Sequence, residues 1–197
     1  LAGSQVLATQ VRYGISADVF ASANARVVEA LVAENLLENA RVFASNELVL
    51  AVSDTWKGGL EVKNLVEVGS LVLGTPESPI GSYTDQFLET AGSFYGGDWL
   101  ETVRAQVVSR ESNVRLAAAK VILGEADAAV VYSTDCRGQE ALRCVLLPEN
   151  LAPRVSYHHA RLVHGPETDS ALAWIDFVES EAGSEILQRF GFGGSVQ

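Results

Sequence analysis

The segment that most constrains the fold runs from Glu111 to Tyr132 and reads E-S-N-V-R-L-A-A-A-K-V-I-L-G-E-A-D-A-A-V-V-Y. Ser112 or Asn113 is placed to cap the start of a helix, and Gly124 suits the left-handed position that follows a helix end. The apolar run 128–132 has no alternation, which is typical of a strand buried on both faces. The segment therefore predicts a capped helix, a glycine stop and a central strand.

This unit also has the features of a ligand-binding edge. The amides of Val114 and Arg115 would have no partner within the helix, and they lie at the positive end of its dipole. Tyr132 closes the strand, and ligands of open α/β sheets usually bind at such carboxyl ends. Because units of this kind occur in many α/β proteins, the rest of the chain has to decide between an anion site and an ordinary βα connection.

Charge and hydropathy exclude several classes of protein. A net charge of −11 and a pI near 4.7 argue against binding to nucleic acid or to an anionic membrane surface, because both would repel the chain. The hydrophobic content of 48% is ample for a core, yet no apolar run approaches the roughly 18 residues that cross a bilayer. We therefore expect a globular protein without direct membrane insertion.

The start of the chain and its two cysteines each leave two interpretations open, one of which is an exported protein. The sequence begins at Leu1 and contains no methionine, so either a signal peptide has been removed or a longer segment is missing. Cys136 and Cys144 have no C-x-x-C spacing and no histidine partner, which makes them poor metal ligands. They form either a local disulfide, as in exported proteins, or two quiet thiols.

Alternating strand and helix patterns predict an α/β fold in two lobes. Extended stretches near 48–53 and 154–163 would be the two crossings, which gives lobe I as 1–48 plus 157–197 and lobe II as 49–156. The predicted strands are 17–20, 41–44, 48–52, 70–73, 105–108, 128–132, near 145–146, and 154–163. The predicted helices are 4–11 capped by Ser4, 22–34, 83–91, 99–103, 114–123, 170–179 with Leu172, Trp174, Ile175 and Val178 inward, and 184–190.

Catalytic patterns are missing from the sequence. It has no G-x-S-x-G, Walker, H-E-x-x-H or C-x-x-C motif, so we expect a protein that is not an enzyme. His158, His159 and His164 lie in or near a predicted return strand without a carboxylate pattern, which favours structural or solvated histidines over metal ligands.

Seven segments, in order and in register, resemble the periplasmic molybdate/tungstate-binding proteins of ABC transporters. They cover nearly the whole chain and are A-G-S-Q-V-L-A-T-Q (2–10), S-A-D-V-F-A-S-A (16–23), N-E-L-V-L-A-V (46–52), G-T-P-E-S-P-I-G-S-Y (74–83), N-V-R-L-A-A (113–118), A-A-V-V-Y-S-T-D (128–135) and R-F-G-F (189–192). The resemblance implies a two-lobed type II periplasmic-binding-protein fold, with a mostly parallel sheet flanked by helices in each lobe and a two-strand hinge.

The resemblance also implies which residues bind the oxyanion. Ser4, Ile80, Val114 and Tyr132 occupy the family's ligand positions, and they would donate hydrogen bonds through serine and tyrosine hydroxyls and through backbone amides. The metal would then be bound as its oxyanion, with no side chain coordinating it directly. Such donors suit a fully deprotonated dianion, which hydroxyl groups can serve only by donating.

Two departures from the family pattern bear on this site. Ile80 stands where a smaller residue, commonly alanine, is usual; its amide donor is retained, so the change affects the shape of the cavity. The family's opening strand and helix, which carry one more serine ligand and a central strand of lobe I, are absent from the chain as given. We therefore expect a truncated or incomplete version with one donor fewer.

The function implied by the resemblance is extracytoplasmic capture of molybdate or tungstate for an ABC-transporter permease. The ligand would be cargo and no cofactor is expected; the protein would act as a monomer in the periplasm or outside the cell, and the full-length precursor could carry a lipid anchor. Two alternatives remain open: the effector domain of a LysR-type transcription regulator, and a binding protein for another oxyanion such as sulfate. A disulfide between Cys136 and Cys144 would favour the exported protein.

Overall fold

The computed structural model describes residues 3–194 of the chain. Its helices are α1 Ser4–Arg12, α2 Ala25–Ala33, α3 Pro79–Tyr95, α4 Gly97–Ala105, α5 Val114–Ile122, α6 Ser133–Cys136, α7 Thr168–Glu179 and α8 Glu181–Arg189, with a 3₁₀ helix at Val62–Glu67. Its strands are β1 Val19–Ser22, β2 Leu37–Asn46, β3 Leu48–Ser53, β4 Leu71–Gly74, β5 Val107–Glu111, β6 Ala128–Tyr132, β7 Leu142–Leu146 and β8 Val155–Leu162.

The chain divides into two compact units. The first consists of Leu1–Asn46 with Val155–Gln197, and the second of Glu47–Arg154. Each crossing therefore falls two residues before the boundary that the sequence predicted, at 46/47 instead of 48/49 and at 154/155 instead of 156/157. The C-terminal helices α7 and α8 belong to the first unit, as expected from the pattern of the chain.

The first unit has a three-stranded sheet in the order β1-β8-β2. Strand β8 runs antiparallel to both neighbours, with Phe20 opposite Ala160 and Val42 opposite His158. The expected α/β class is confirmed, but these strand pairs differ from the mostly parallel sheet that was predicted for each lobe. The physical reason is that β8 returns from the second unit between two strands that share the opposite direction.

Helices α1 and α2 supply the apolar core of the first unit. Their buried side chains pack with those of the sheet in one cluster, made of Ala8, Val11, Phe20, Val27, Val28, Leu31, Leu37, Ala160 and Leu162. Helix α7 differs from the prediction, since Ala171 and Ile175 are its buried residues while Leu172 and Trp174 are each 42% exposed. The stripe that packs is therefore narrower than the apolar face seen in the sequence.

The second unit has a five-stranded sheet in the order β5-β4-β6-β3-β7. Strands β5, β4 and β6 are parallel to one another, and β3 runs antiparallel to both β6 and β7. All residues of β4 and β6 are buried, which confirms the prediction of a central strand at 128–132. Such burial on both faces explains why the sequence of β6 shows no alternation.

Helix α5 covers one face of this sheet. Ala117, Ala118 and Val121 of the helix pack against alternate residues of the strands, among them Val72 of β4 and Val131 of β6. The helix ends at Ile122 with Leu123 as its C-cap, and Gly124 follows with φ +72°, the left-handed conformation that the sequence predicted for it.

A disulfide joins Cys136, the last residue of α6, to Cys144 in β7. The sequence had left this pairing open against two free thiols. The side chains of α5 and the sheet residues that they contact form one apolar cluster, called here the cluster under α5. Both cysteines are partly buried against it. The bridge therefore connects the turn that follows β6 to the edge strand of the second sheet.

Candidate functional site

Three of the four predicted site residues lie at one edge of the second sheet. Gly74 at the end of β4 is paired with Glu111 at the end of β5, and Val72 is paired with Ala129 of β6. Extending that parallel register by two residues places Gly74 level with the residue before Tyr132. The carboxyl ends of β5, β4 and β6 therefore meet at the same edge, which is where α/β sheets bind ligands.

Helix α3 begins at this edge directly after β4. Ser78 is its N-cap, and the Ser78 hydroxyl accepts the amide of Gly81 at 3.1 Å while it donates to the carbonyl of Thr75 at 2.7 Å. Pro79 occupies the first position of the helix, where its missing N–H costs nothing. The amide of Ile80 then belongs to the first turn, whose N–H groups have no carbonyl within the helix.

Ile80 differs from an ordinary surface residue at a helix start. Its side chain is buried, with 2% of its surface exposed, and the Ile80 carbonyl accepts the Thr84 hydroxyl at 2.7 Å. The apolar side chain therefore anchors the first turn of α3 in the core, and what this residue can offer to a ligand is its backbone amide.

Helix α5 begins at the same edge after β5. Asn113 is the N-cap and accepts the Leu116 amide at 3.2 Å, which identifies the cap that the sequence had left between Ser112 and Asn113. Val114 follows as the first helical residue, half-buried against the cluster under α5. As in α3, the side-chain cap serves an amide in the third helical position, so the amides of Val114 and its successor stay available by helix geometry.

Tyr132 ends β6 at this edge, with 4% of its surface exposed. Leu48 lies opposite it in β3, and the amide of the next residue, Ser133, donates to the carbonyl of Glu47 at 2.9 Å. By strand alternation, Tyr132 shares its face with Ala128 and lies opposite the face that α5 covers. The phenol is therefore a buried group at the end of a central strand, as predicted.

Ser4 belongs to the first unit and is the first residue of α1. It is 7% exposed, and Gly3, which makes no side-chain capping bond, is the N-cap. The prediction that Ser4 itself caps the helix is wrong. Its position in the first turn nevertheless gives it both a hydroxyl and an amide that lie outside the hydrogen bonding of a regular helix.

Two basic side chains near this edge of the second sheet, those of Arg110 and Lys120, are paired with acidic ones. Arg110 of β5 donates to the Gly74 carbonyl at 2.9 Å and pairs with Asp85 at 2.9 Å. Lys120 lies 3.7 Å from Glu111 and 3.3 Å from Glu125. The capped helix starts of α3 and α5 add positive potential at this edge beside these paired cations.

Asp135, in the short helix α6 after β6, is a residue near this edge that the sequence patterns did not indicate as part of a site. Its carboxylate accepts a hydrogen bond from the backbone amide of Tyr132 and is attracted by Arg115, yet burial outweighs both effects and raises the pKa of the Asp135 carboxyl. The oxygen Oδ2 is buried without a hydrogen-bond partner in the described structure. The signal that would have found it is its spacing, since a carboxylate three residues after a helix N-cap can accept the amide of the cap.

His158 and His159 lie in β8 of the first unit's sheet, and His164 is exposed in the turn that follows it. His159 is fully buried, its Nε2 lies 3.0 Å from Oε1 of Glu179, and its ring faces those of Phe43 and Trp174. Burial lowers the pKa of His159, and the neighbouring carboxylate opposes that effect only in part. Among residues 3–194, no three or more His, Cys, Asp or Glu side chains converge as they would to hold a metal ion.

Comparison with solved structures shows which class of protein has this fold. It superposes on the periplasmic molybdate-binding protein of Azotobacter vinelandii with a TM-score of 0.81 over 97% of this chain and 84% of that one, at 18% identity, a level that shows the fold alone. The substrate-binding domain of a molybdenum ABC transporter from Clostridium difficile, described as putative, gives a TM-score of 0.75 at 26% identity over 99% of this chain and 84% of that chain. This is the two-lobed architecture of type II periplasmic binding proteins.

The sequence identifies the family within that class. The chain belongs to the family described as bacterial extracellular solute-binding protein, whose model matches residues 1–193. It is 31% identical to the molybdate-binding protein ModA of Mycobacterium tuberculosis, over 97% of this chain and 71% of that protein. It is 27% identical to ModA of Escherichia coli, over 97% of this chain and 76% of that protein. None of the helices between residues 3 and 194 combines the length and apolar character needed to span a bilayer.

Proposed function

We propose that this protein captures a tetrahedral oxyanion, molybdate or tungstate, outside the cytoplasmic membrane and delivers it to the permease of an ABC transporter. The observation that carries the proposal is the meeting of two capped helix starts and Tyr132 at the carboxyl ends of β5, β4 and β6. Membership of the solute-binding family and identity to proteins named for molybdate support it. The anion is cargo, and the protein neither transforms it nor needs a cofactor.

The proposed donors are the amides of Ile80 and Val114, the Tyr132 hydroxyl, and Ser4 from the first unit. Helix starts favour anions through oriented N–H groups and partial positive charge, without the desolvation cost of burying a lysine or arginine. Backbone amides can only donate hydrogen bonds, and the hydroxyls of Tyr132 and Ser4 can also only donate to an oxyanion that carries no proton. The site would therefore discriminate against anions that keep a proton, such as hydrogen phosphate.

The exported location follows from the same proposal. The family is extracellular by description, and the disulfide between Cys136 and Cys144 suits an oxidising compartment. Both observations favour the solute-binding protein over the effector domain of an intracellular regulator. We keep the monomeric state, the permease partner and the periplasmic or cell-surface position as parts of this proposal.

A thermal-shift titration with molybdate, tungstate, sulfate and phosphate tests the ligand. A ligand that binds only the folded state stabilises it by about 2.7 kcal/mol at a hundredfold excess over its Kd, which raises Tm by several degrees. We expect this increase with molybdate and tungstate and little or none with phosphate. An increase with sulfate alone would reassign the cargo, and no increase with any of the four would refute the oxyanion function.

Two single-atom variants test the proposed donors. Tyr132→Phe removes one hydroxyl that donates to a charged acceptor, worth roughly 1.5–3 kcal/mol, so Kd should rise about ten- to a hundredfold. Ser4→Ala should weaken binding in the same direction. Tyr13→Phe is the matched control because Tyr13 is 87% exposed, and it should leave Kd unchanged. An unaltered Kd in Tyr132→Phe would remove this residue from the site.

A further inference from the structure

The backbone of Tyr132 is restrained by groups that the anion-binding proposal does not use. Tyr132 is the N-cap of α6, and Asp135 is the third residue of that turn. The Asp135 carboxylate reaches back and accepts the amide of Tyr132. This is the reciprocal half of a capping box, in which an acidic side chain binds the N–H of the cap residue.

The neighbouring contacts hold the rest of the turn. On one side, Leu48 lies opposite Tyr132 in β3 and the Ser133 amide donates to Glu47. On the other side, the disulfide attaches Cys136 to β7. With both ends of α6 held, the bond from Asp135 to the Tyr132 amide restrains the backbone from which the Tyr132 side chain projects.

The surroundings of Asp135 show that this bond is not an ordinary exposed cap. The carboxyl is partly buried, Oδ2 has no partner in the described structure, and burial raises the pKa of the group. Helix α6 packs against β3, β6, β7 and α5. The charged residues of those elements are Arg115 and Lys120 on α5 and Arg143 on β7; Lys120 is paired with two glutamates, Arg143 donates to the Trp56 carbonyl, and Arg115 is the one that attracts Asp135.

We propose that Asp135 is a positioning residue for the anion site, which acts through the backbone of Tyr132 to hold the phenol in its donating orientation. This inference rests on the proposed oxyanion function. A positioned donor avoids the conformational entropy that a mobile tyrosine would lose on binding, and binding sites depend on such support. Asp135 itself need not touch the ligand.

A double-mutant cycle between positions 135 and 132 tests this role, with the Kd for molybdate measured by calorimetry. Asp135→Ala should weaken binding roughly tenfold in the native background, an effect comparable to losing one well-placed donor. In the Tyr132→Phe background the same change should alter Kd less than about twofold, because the hydroxyl that it positions is already gone. Asp135→Asn should stay within about threefold of the native protein, since its amide oxygen still accepts the Tyr132 N–H.

Asp127 provides the matched control at the opposite end of β6. Its carboxylate accepts the Ser70 amide at 2.9 Å and the Ser70 hydroxyl at 2.8 Å, so Asp127→Ala removes a part-buried carboxylate that also accepts a backbone amide, at the far end of the strand from Tyr132. It should lower Tm and leave the Kd for molybdate similar in both backgrounds. Where Asp135→Ala does not fold, Asp135→Ser takes its place in the cycle, because the shorter side chain falls short of the Tyr132 amide.

The outcomes separate the two proposals. A native protein that binds none of the four oxyanions refutes the proposed function, and this inference falls with it before any variant is made. If the native protein binds molybdate but Asp135→Ala weakens binding equally with and without the Tyr132 hydroxyl, or does not weaken it, the positioning role is wrong and the anion function stands. Loss of binding in Asp135→Asn as severe as in Asp135→Ala also contradicts the role.

Discussion

Two glycines allow the end of β4 and the first turn of α3 to approach more closely than side chains permit. A Cβ at Gly74 would lie 2.6 Å from the Gly81 nitrogen, and a Cβ at Gly81 would lie 1.9 Å from the Thr75 carbonyl oxygen. Neither glycine has a positive φ, so the requirement is space and not backbone conformation. The close approach brings the first-turn amides of α3 to the strand end where the proposed anion would lie.

We therefore expect Gly81→Ala to destabilise the protein by roughly 1–3 kcal/mol, since the backbone must move to relieve the overlap. The displacement should also weaken binding of molybdate, because the amide of Ile80 moves with the turn. Gly97→Ala is the control: Gly97 also lies in the first turn of a helix, but nothing is within 4 Å of its added Cβ. That variant should gain about 0.4–1 kcal/mol. Equal free energies of unfolding, measured in urea, would contradict the packing argument.

His159 is a second residue whose surroundings determine a measurable property. Burial lowers its pKa below the ordinary value of 6.5, against the opposing influence of Glu179. The unfolded chain therefore binds a proton at this position more readily than the folded protein does. The stability that the neutral ring contributes is present above about pH 6.5 and is lost as the pH falls through and below that value.

We expect His159→Gln to lose less stability between pH 7 and pH 5 than the native protein, whatever its stability at pH 7. The measurement is the free energy of unfolding at both pH values, compared as a difference for each protein. The exposed His164, changed to glutamine, serves as control and should keep the native pH difference. A native-like difference in His159→Gln would assign the acid sensitivity to other groups.

At the scale of elements, the sequence predicted best where pattern and capping agreed. Helix α5, Gly124 and β6 formed close to their predicted bounds, because a polar cap, a glycine stop and an unbroken apolar run all specify the same structure. The buried stripe of α7 was predicted wrongly at Leu172 and Trp174, since the width of the stripe depends on what packs against the helix. The sequence also could not predict that β8 runs antiparallel to its neighbours, because a strand shows the same side-chain alternation in both directions.

The disulfide is the element-scale feature with the clearest energetic consequence. It closes a loop between positions 136 and 144, and loop-closure entropy for eight residues predicts a stabilisation of about 2.5 kcal/mol. Replacing both cysteines by serine should lower the free energy of unfolding by roughly that amount. The control is the native protein measured in reducing agent, which should approach the same value. A loss well below 1 kcal/mol would show that the turn is held by its other contacts alone.

At the scale of the whole molecule, the net charge of the protein is negative, whereas the electrostatic potential at the proposed site is positive. The chain carries 25 acidic and 14 basic side chains, a net charge of −11, and its proposed ligand is a dianion. Attraction would come from helix starts and hydroxyl groups, which act over a few ångströms, whereas repulsion from the whole surface acts over a Debye length of about 10 Å at 0.1 M salt. Salt should therefore screen the repulsion more than the attraction.

We expect the association rate of molybdate to rise several-fold between about 10 and 300 mM sodium chloride. A site formed by lysine or arginine would show the reverse, because salt would screen the attraction of its cations. Stopped-flow tryptophan fluorescence at fixed pH measures the rate, and chloride is used because sulfate could compete for the site. Glycerol at matched viscosity controls for slower diffusion. A rate that falls with salt would show that a cation, and not the dipoles of α3 and α5, attracts the anion.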